Sequence, residues 1–310
     1  MSDKELISTR LRLVDEGELR KRLFHIASDP LPFRKASYTV PGHAKSTLDE
    51  TDDFIAQSLA EWGWAVERTP YQCQAFARNH EKPVHHQYDT PREGEPFYTL
   101  YNIHGRRRGR EIPDETIVLV AHKDSMSWID SPGAYDNGSG TVANLEIARV
   151  LADYEPKRNL WLLFCNEEHT PWTSFFAAQE ALAAGINCIG VFNSDSLGGK
   201  GLDDLYYGRH TNVTIYSEPE ARPLALLMNE VVERFDLGLE QRVERREFPN
   251  DDDGMFVKAG YPLAIANLGS FPYRDPCYHL ECDAPDRVDS PNLAKSTQAV
   301  LAALLTLDLS

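Results

Sequence analysis

The feature that most constrains this chain is a recurrence of short apolar runs, each long enough for one buried strand. Each run is followed by residues capable of acid–base or metal chemistry. Ile117–Ala121 stops at His122, Lys123 and Asp124, and Leu160–Cys165 at Asn166, Glu167 and Glu168. Cys188–Phe192 leads through Asn193 and Ser194 to Asp195, and Tyr261–Leu268 is followed after a loop by Tyr278 and His279. Between these runs lie segments with helical spacing: Gly140–Leu151, Ser174–Ala184 closed by Gly185, Ala221–Phe235 and Asn292–Leu307. Apolar runs alternating with helical periods predict an α/β sheet buried on both faces. The expectation is a single three-layer domain over residues 1–310, with a mixed, mostly parallel central sheet and helices on both sides.

Upstream, Leu19–Ile26 and Ser46–Trp62 read as helices, the second ended by Gly63, and Trp64–Tyr71 and Tyr98–His104 as strands. Gln72–Pro96 is polar and contains Pro83, Pro91 and Pro96, so an insertion is expected around 72–97. The adjacent His85 and His86 read as ordinary polar loop residues. Arg106, Arg107, Arg108 and Arg110 read as a solvated basic loop.

The 48 acidic against 32 basic residues, a net charge of −16, argue against a nucleic-acid backbone as partner. No apolar run reaches the length of a membrane-spanning helix, and the first residues lack the apolar core of a secretory signal. Five scattered cysteines do not form a disulfide framework. Cys277 and Cys282 are close enough to pair but read as reduced thiols, consistent with a cytoplasmic protein. The sequence carries no signal for an oligomeric state.

Ligands of open α/β sheets bind beyond the carboxyl ends of the strands. Here those ends deliver His122, Asp124, Glu167, Glu168, Asp195 and His279, and Asp136 arrives on the loop Pro132–Gly140. Singly, each has an ordinary reading as a surface pair, a solvated charge or a turn residue. Jointly, two histidines and three carboxylates suffice for two zinc ions sharing a bridging carboxylate. No His-Glu-x-x-His helix, Gly-x-Ser-x-Gly elbow, Walker loop or dinucleotide fingerprint competes.

The segments His122–Ser125, Pro132–Gly140, Asn166–Glu168, Asn193–Gly198 and Tyr278–His279 resemble the motifs of the co-catalytic di-zinc exopeptidases. That family includes bacterial and yeast aminopeptidases, glutamate carboxypeptidase and glutaminyl cyclase, and the resemblance spans about residues 45–308. It implies that His122 and Asp195 hold one Zn2+, Glu168 and His279 a second, and that Asp136 bridges them. It further implies Asp124 as the residue orienting His122, Glu167 as general base, Tyr278 as a stabiliser of the oxyanion, and a cis peptide bond after Asp136. The implied activity is aminopeptidase hydrolysis of the terminal bond of a peptide, or of a small amide, by a water shared between the metals. Carboxypeptidase, dipeptidase or small-molecule amidohydrolase chemistry on the same site is the alternative; a cyclase or a non-catalytic binding protein stands further off.

Two segments depart from the family pattern: the bulky His169–Ser174, and Asn250–Gly254 in place of a Ser-Asp-His-like loop. Asp251, Asp252 and Asp253 could receive a substrate amine or cap a helix around Met255–Lys258. Arg209, Arg245, Arg246 and Arg274 are candidates to meet a substrate carboxylate. Trp128, Trp172, Phe271 and Tyr273 could wall a pocket or simply pack.

Overall fold

The structure, a computed structural model, describes residues 2–271 and 274–310. Tyr273 therefore lies outside the described residues. In chain order the strands are β1 (Ala65–Ala75), β2 (Ala77–Arg78), β3 (Tyr88–Asp89), β4 (Tyr98–Arg107), β5 (Ile112–His122), β6 (Arg158–Cys165), β7 (His169–Thr170), β8 (Cys188–Ser194), β9 (Thr211–Tyr216), β10 (Glu240–Arg245) and β11 (Ala264–Leu268). The helices are α1 (Asp3–Leu11), α2 (Glu16–Ala27), α3 (Thr47–Glu61), α4 (Ser139–Val150), α5 (Thr173–Ala183), α6 (Leu202–Tyr206), α7 (Arg222–Arg234), α8 (Asp251–Ala259) and α9 (Ser290–Leu309).

Nine strands form one mixed sheet in the order β10-β9-β11-β8-β5-β6-β4-β1-β7. Its central run β11-β8-β5-β6 is parallel, and antiparallel pairings lie toward the margins. The period-two alternation of a strand sends neighbouring side chains to opposite faces. Ile117 and Leu119 accordingly join one core, with α1, α3, α4, α7 and α9, while Val118 and Val120 join the other, with α5 and α8. Leu160, Leu162 and Phe164 alternate with Trp161, Leu163 and Cys165 in the same way. Helices cover both faces, which is why the strands read as unbroken apolar runs. The predicted helix stops are present: Gly63 and Gly185 follow α3 and α5 with φ of 74° and 71°.

The structure corrects several expectations. Helix α1, strand β9 and the edge strand β10 escape the apolar-run reading; β10, Glu-Gln-Arg-Val-Glu-Arg, is mostly polar because it has only one strand neighbour. The strand expected from Tyr261 begins at Ala264. The segment expected as a long loop is instead built, with the end of β1, the β2–β3 pair and a 3-10 turn at Val84–His86. Arg106 and Arg107 belong to β4 rather than to a solvated loop: Arg106 stacks over Trp161, and Arg107 donates to the carbonyls of Trp62, Leu151, Ala152 and Tyr154. Cys277 and Cys282, expected as reduced thiols, form a disulfide, because the turn between them brings their Cα atoms to 5.3 Å. Among the described residues, no helix is long and apolar enough to cross a membrane.

Candidate metal centre

The parallel strands β5, β6, β8 and β11 end side by side, and their carboxyl ends carry the site. His122 is the last residue of β5, Glu167 and Glu168 follow β6, and Asp195 follows β8. Asp136 comes from the loop between β5 and α4, and His279 from the loop after β11.

These residues meet in two groups that share one member. Ligand atoms of His122, Asp136 and Asp195 all lie within 4.8 Å of one another, and so do those of Asp136, Glu168 and His279. His122 Nε2 lies 3.0 Å from Asp136 Oδ1 and 3.8 Å from Asp195 Oδ1. His279 Nε2 lies 3.1 Å from Asp136 Oδ2 and 3.4 Å from Glu168 Oε1. All five side chains are buried. Asp136 Oδ2 makes no hydrogen bond despite its closeness to His279. A buried carboxylate oxygen left without a hydrogen bond is free to ligate an ion.

Charge points the same way. Burial pushes the Asp195 carboxyl well up, and nearby Asp136 and Asp251 add to it against His122. Glu168 is raised by burial and Asp136 against the opposing effect of His279. Burial works against a charge on His279, but Glu168 and Asp136 push it up to about 10. Such a concentration of carboxylates with two imidazoles fits a divalent cation of the zinc type, whose preferred donors are these.

The surroundings pin the ligands. Burial alone would raise Asp124, but hydrogen bonds from His122 and His169 outweigh it and hold its carboxyl well below the usual range. Asp124 lies 3.4 Å from His122 Nδ1, and it accepts from the main-chain N–H of Glu167 and Glu168 (3.0 and 2.9 Å) and from His169 Nδ1 (2.8 Å). It therefore ties the end of β5 to the end of β6. Asn137 does the same toward β8: its side chain donates to Ser194 O and accepts from Gly140 N and Ser196 N. The peptide bond Asp136–Asn137 is cis. A Cβ on Gly140 would stand 1.9 Å from Ser194 O, so only glycine lets α4 begin this close to β8.

Several contributors carried no signal in the sequence. Arg34 is wholly buried and donates to the carbonyls of Ile26, Lys123, Pro132 and Gly133, clamping the loop that bears Asp136. Asp283 accepts from the N–H of Tyr135 and Asp136 at 2.8 and 3.0 Å. Lys123 bridges Asp52 and Asn166 at 2.8 and 2.7 Å. An isolated Arg, Lys or Asp in a polar stretch looks like surface until the fold buries it.

Glu167 stands beside the ligands with Oε2 buried and without a hydrogen-bond partner. Burial, then Asp252 and Asp251, raise its carboxyl well above the ordinary value. Asp252 sits beneath it against Cys165 Sγ (3.1 Å). The Asp251–Asp253 run forms the first turn of α8, and Asp251 and Asp253 engage Arg246. Arg246 is therefore committed to protein carboxylates, and Arg245 to Ser217 O. Arg209 pairs with Asp204, and with Arg274 and Phe271 it lines a separate surface groove. Tyr278 stacks its ring on His279 with centroids 3.9 Å apart. Trp128 meets the His279 ring edge-on at 5.3 Å, whereas Trp172 is the residue preceding α5.

Comparison with known proteins bears on the family and the fold. Over 99% of its length the chain is 21% identical to a probable aminopeptidase of Saccharomyces cerevisiae, covering 77% of that protein. It is 34% identical to a probable zinc metalloprotease of Pyrenophora teres f. teres over 33% of this chain and 23% of the relative. The LapA aminopeptidase of Legionella pneumophila superposes with a TM-score of 0.73 at 18% identity, over 99% of this chain and 75% of that one. A glutaminyl cyclase of Bacteroides thetaiotaomicron superposes with 0.69 at 17% identity, over 94% and 97%. At these identities the superpositions show the shared fold alone. Residues 102–304, about two thirds of the sequence, match the profile of peptidase family M28, and the chain belongs to that family.

Proposed function

We propose that this M28 hydrolase is a zinc-dependent aminopeptidase holding two ions. His122, Asp136 and Asp195 hold one, and Asp136, Glu168 and His279 the other. The observation that carries this is Asp136 shared by two buried ligand groups, with the unpartnered Oε2 of Glu167 alongside. The ions, when bound, supply Lewis acidity and acidify water toward neutrality.

This chain's own residues do the rest. Glu167, fixed through its main-chain N–H on Asp124, takes a proton from the attacking water and returns it to the leaving amine. Burial and the neighbouring Asp252 and Asp251 raise its carboxyl, the direction that favours accepting a proton. Asp124 keeps the His122 Nδ1 proton engaged and so leaves Nε2 for the metal. Tyr278, against the His279 ring, is our candidate for stabilising the oxyanion.

Two features support recognition of an amino rather than a carboxyl terminus. The Saccharomyces cerevisiae relative is a probable aminopeptidase and several solved structures of this fold are aminopeptidases, and Arg246, which could have met a substrate carboxylate, is closed off by Asp251 and Asp253. A cytoplasmic location is the expectation from composition, whereas the Cys277–Cys282 bridge suits an oxidising compartment. Counting free thiols in protein taken from its native cell decides between them.

The test is hydrolysis of aminoacyl p-nitroanilides and of free and N-acetylated dipeptides, with a zinc count per chain. We expect two zinc ions, turnover only with a free amino terminus, and loss with chelator. Glu167→Gln should keep both ions and lose about 10²- to 10⁴-fold in kcat. One zinc with cyclisation of N-terminal glutamine, or hydrolysis confined to N-acetylated substrates, overturns the reading.

A further inference from the structure

The two histidine ligands each rest on a main-chain carbonyl, one local and one distant in sequence. An imidazole that ligates through one nitrogen must place its other N–H on an acceptor, which fixes both tautomer and ring plane. For His122 that acceptor is the main-chain carbonyl of Asp124, two residues away at 3.2 Å, with the Asp124 carboxylate 3.4 Å from the same nitrogen. His279 has its acceptor 194 residues away in sequence: Nδ1–H donates to the main-chain carbonyl of His85 at 2.8 Å. With Nδ1 so engaged, Nε2 is the nitrogen left for a metal, and it is the one that faces Asp136 and Glu168.

We infer that the segment 76–89 positions the Glu168/His279 half of the metal centre, with the His85 carbonyl orienting His279 and the His85 side chain holding that carbonyl in place. His85 Nδ1–H donates to Tyr278 O at 2.6 Å, so residues 85 and 278–279 are joined by a reciprocal pair of hydrogen bonds. Rings reinforce the contact. Tyr88 meets His279 edge-on at 5.7 Å, on the same ring that Trp128 meets at 5.3 Å, and Phe76 and Tyr88 both pack on Trp128. Arg78 reaches Glu281 at 3.3 Å beyond the ligand. His279 itself has a φ of 58°, a region that side-chain-bearing residues seldom adopt, so its own backbone preference does not hold it there. The contacts from 76–89 supply that restraint. The segment lies before residue 102, where the family profile begins.

This inference rests on the two-zinc reading, and zinc release tests the two separately. Wild-type protein loaded with zinc is mixed with an excess of a chromogenic chelator, and the release of each ion is timed. His85→Ala should release one ion about 10- to 100-fold faster and leave the other at the wild-type rate. His85→Asn, whose Nδ2 can replace Nδ1 as donor to Tyr278 O, should restore slow release. Replacing residues 79–87 by Asn-Gly keeps the β2–β3 pairing with a two-residue turn, removes the His85 carbonyl, and should reproduce the fast phase. Circular dichroism checks that each variant is folded. Should His85→Ala fail to fold, the Asn-Gly replacement carries the test. Wild-type release rates for both ions in a folded variant overturn the positioning role and leave the metal reading intact. Wild-type protein that takes up no zinc overturns both.

Discussion

The two halves of the metal centre are built on different principles. The His122/Asp195 half rests on adjacent parallel strands, β5 and β8, and on Asn137, which bonds across to Ser194 and Ser196. Asp124, whose main-chain carbonyl meets His122 Nδ1 two residues away, uses its carboxylate to fasten the neighbouring strand β6. The Glu168/His279 half joins the same core to a loop whose ligand is held by a main-chain carbonyl and aromatic edges from a distant segment. Rigid strands fix one half; the other depends on a contact that must form across the molecule. The second half is thereby the place where metal affinity can be altered without disturbing the sheet.

The largest expected effect removes the member common to both halves. Asp136→Ala should abolish binding of both ions and reduce turnover below detection; elemental analysis showing two zinc ions per chain would end the bridging role. Next, Gly140→Ala strikes the strand-borne half, because its Cβ collides with Ser194 O and Asn137 Oδ1. We expect about 3 kcal/mol of destabilisation, a fall in Tm of about 5 °C, and earlier release of one zinc, as a shifted Asn137 moves Asp195. Release rates in Gly140→Ala and His85→Ala should therefore quicken for different ions, which Co(II) substitution and visible spectra can distinguish. If both variants loosen the same ion, the division into two independently supported halves is wrong.

A smaller effect should touch neither half. His104 on β4 accepts from Trp161 Nε1 at 3.1 Å and bonds Thr69 through Nε2, so it is held neutral. Burial, with help from Arg106, depresses it to about 3 from the ordinary 6.5. Between those values the unfolded chain binds a proton that the folded chain refuses. The contribution of His104 is therefore complete above pH 6.5 and declines as pH falls toward 3, by about 3 kcal/mol at pH 4. His104→Gln should show a smaller loss of denaturant midpoint between pH 7 and pH 4 than wild type. Equal losses would mean that His104 does not govern that part of the acid sensitivity.

Much of the sheet was legible because burial on both faces leaves an unmistakable apolar run, as at Ile117–Ala121 and Leu160–Cys165. The ligands were legible because a polar residue at the end of such a run has a restricted set of explanations. Edge strands such as Glu240–Arg245 were not, since a strand that is covered less can be polar. Gln72–Pro96 looked like an unstructured insertion because its contacts are made by a carbonyl, a histidine side chain and ring edges, none of which has a periodic signature.

The sequence by itself determined the parallel core and the order in which histidines and carboxylates leave it, because strand period and residue chemistry are local properties. Only the tertiary structure decided which groups hold those ligands: the Arg34 clamp on Pro132 and Gly133, the Asp283 seat under Asp136, and the His85 carbonyl behind His279. The physical reason is that hydrogen bonds to the main chain do not depend on the identity of the acceptor residue. Their partners become visible only when the chain has brought distant segments within about 3 Å of one another.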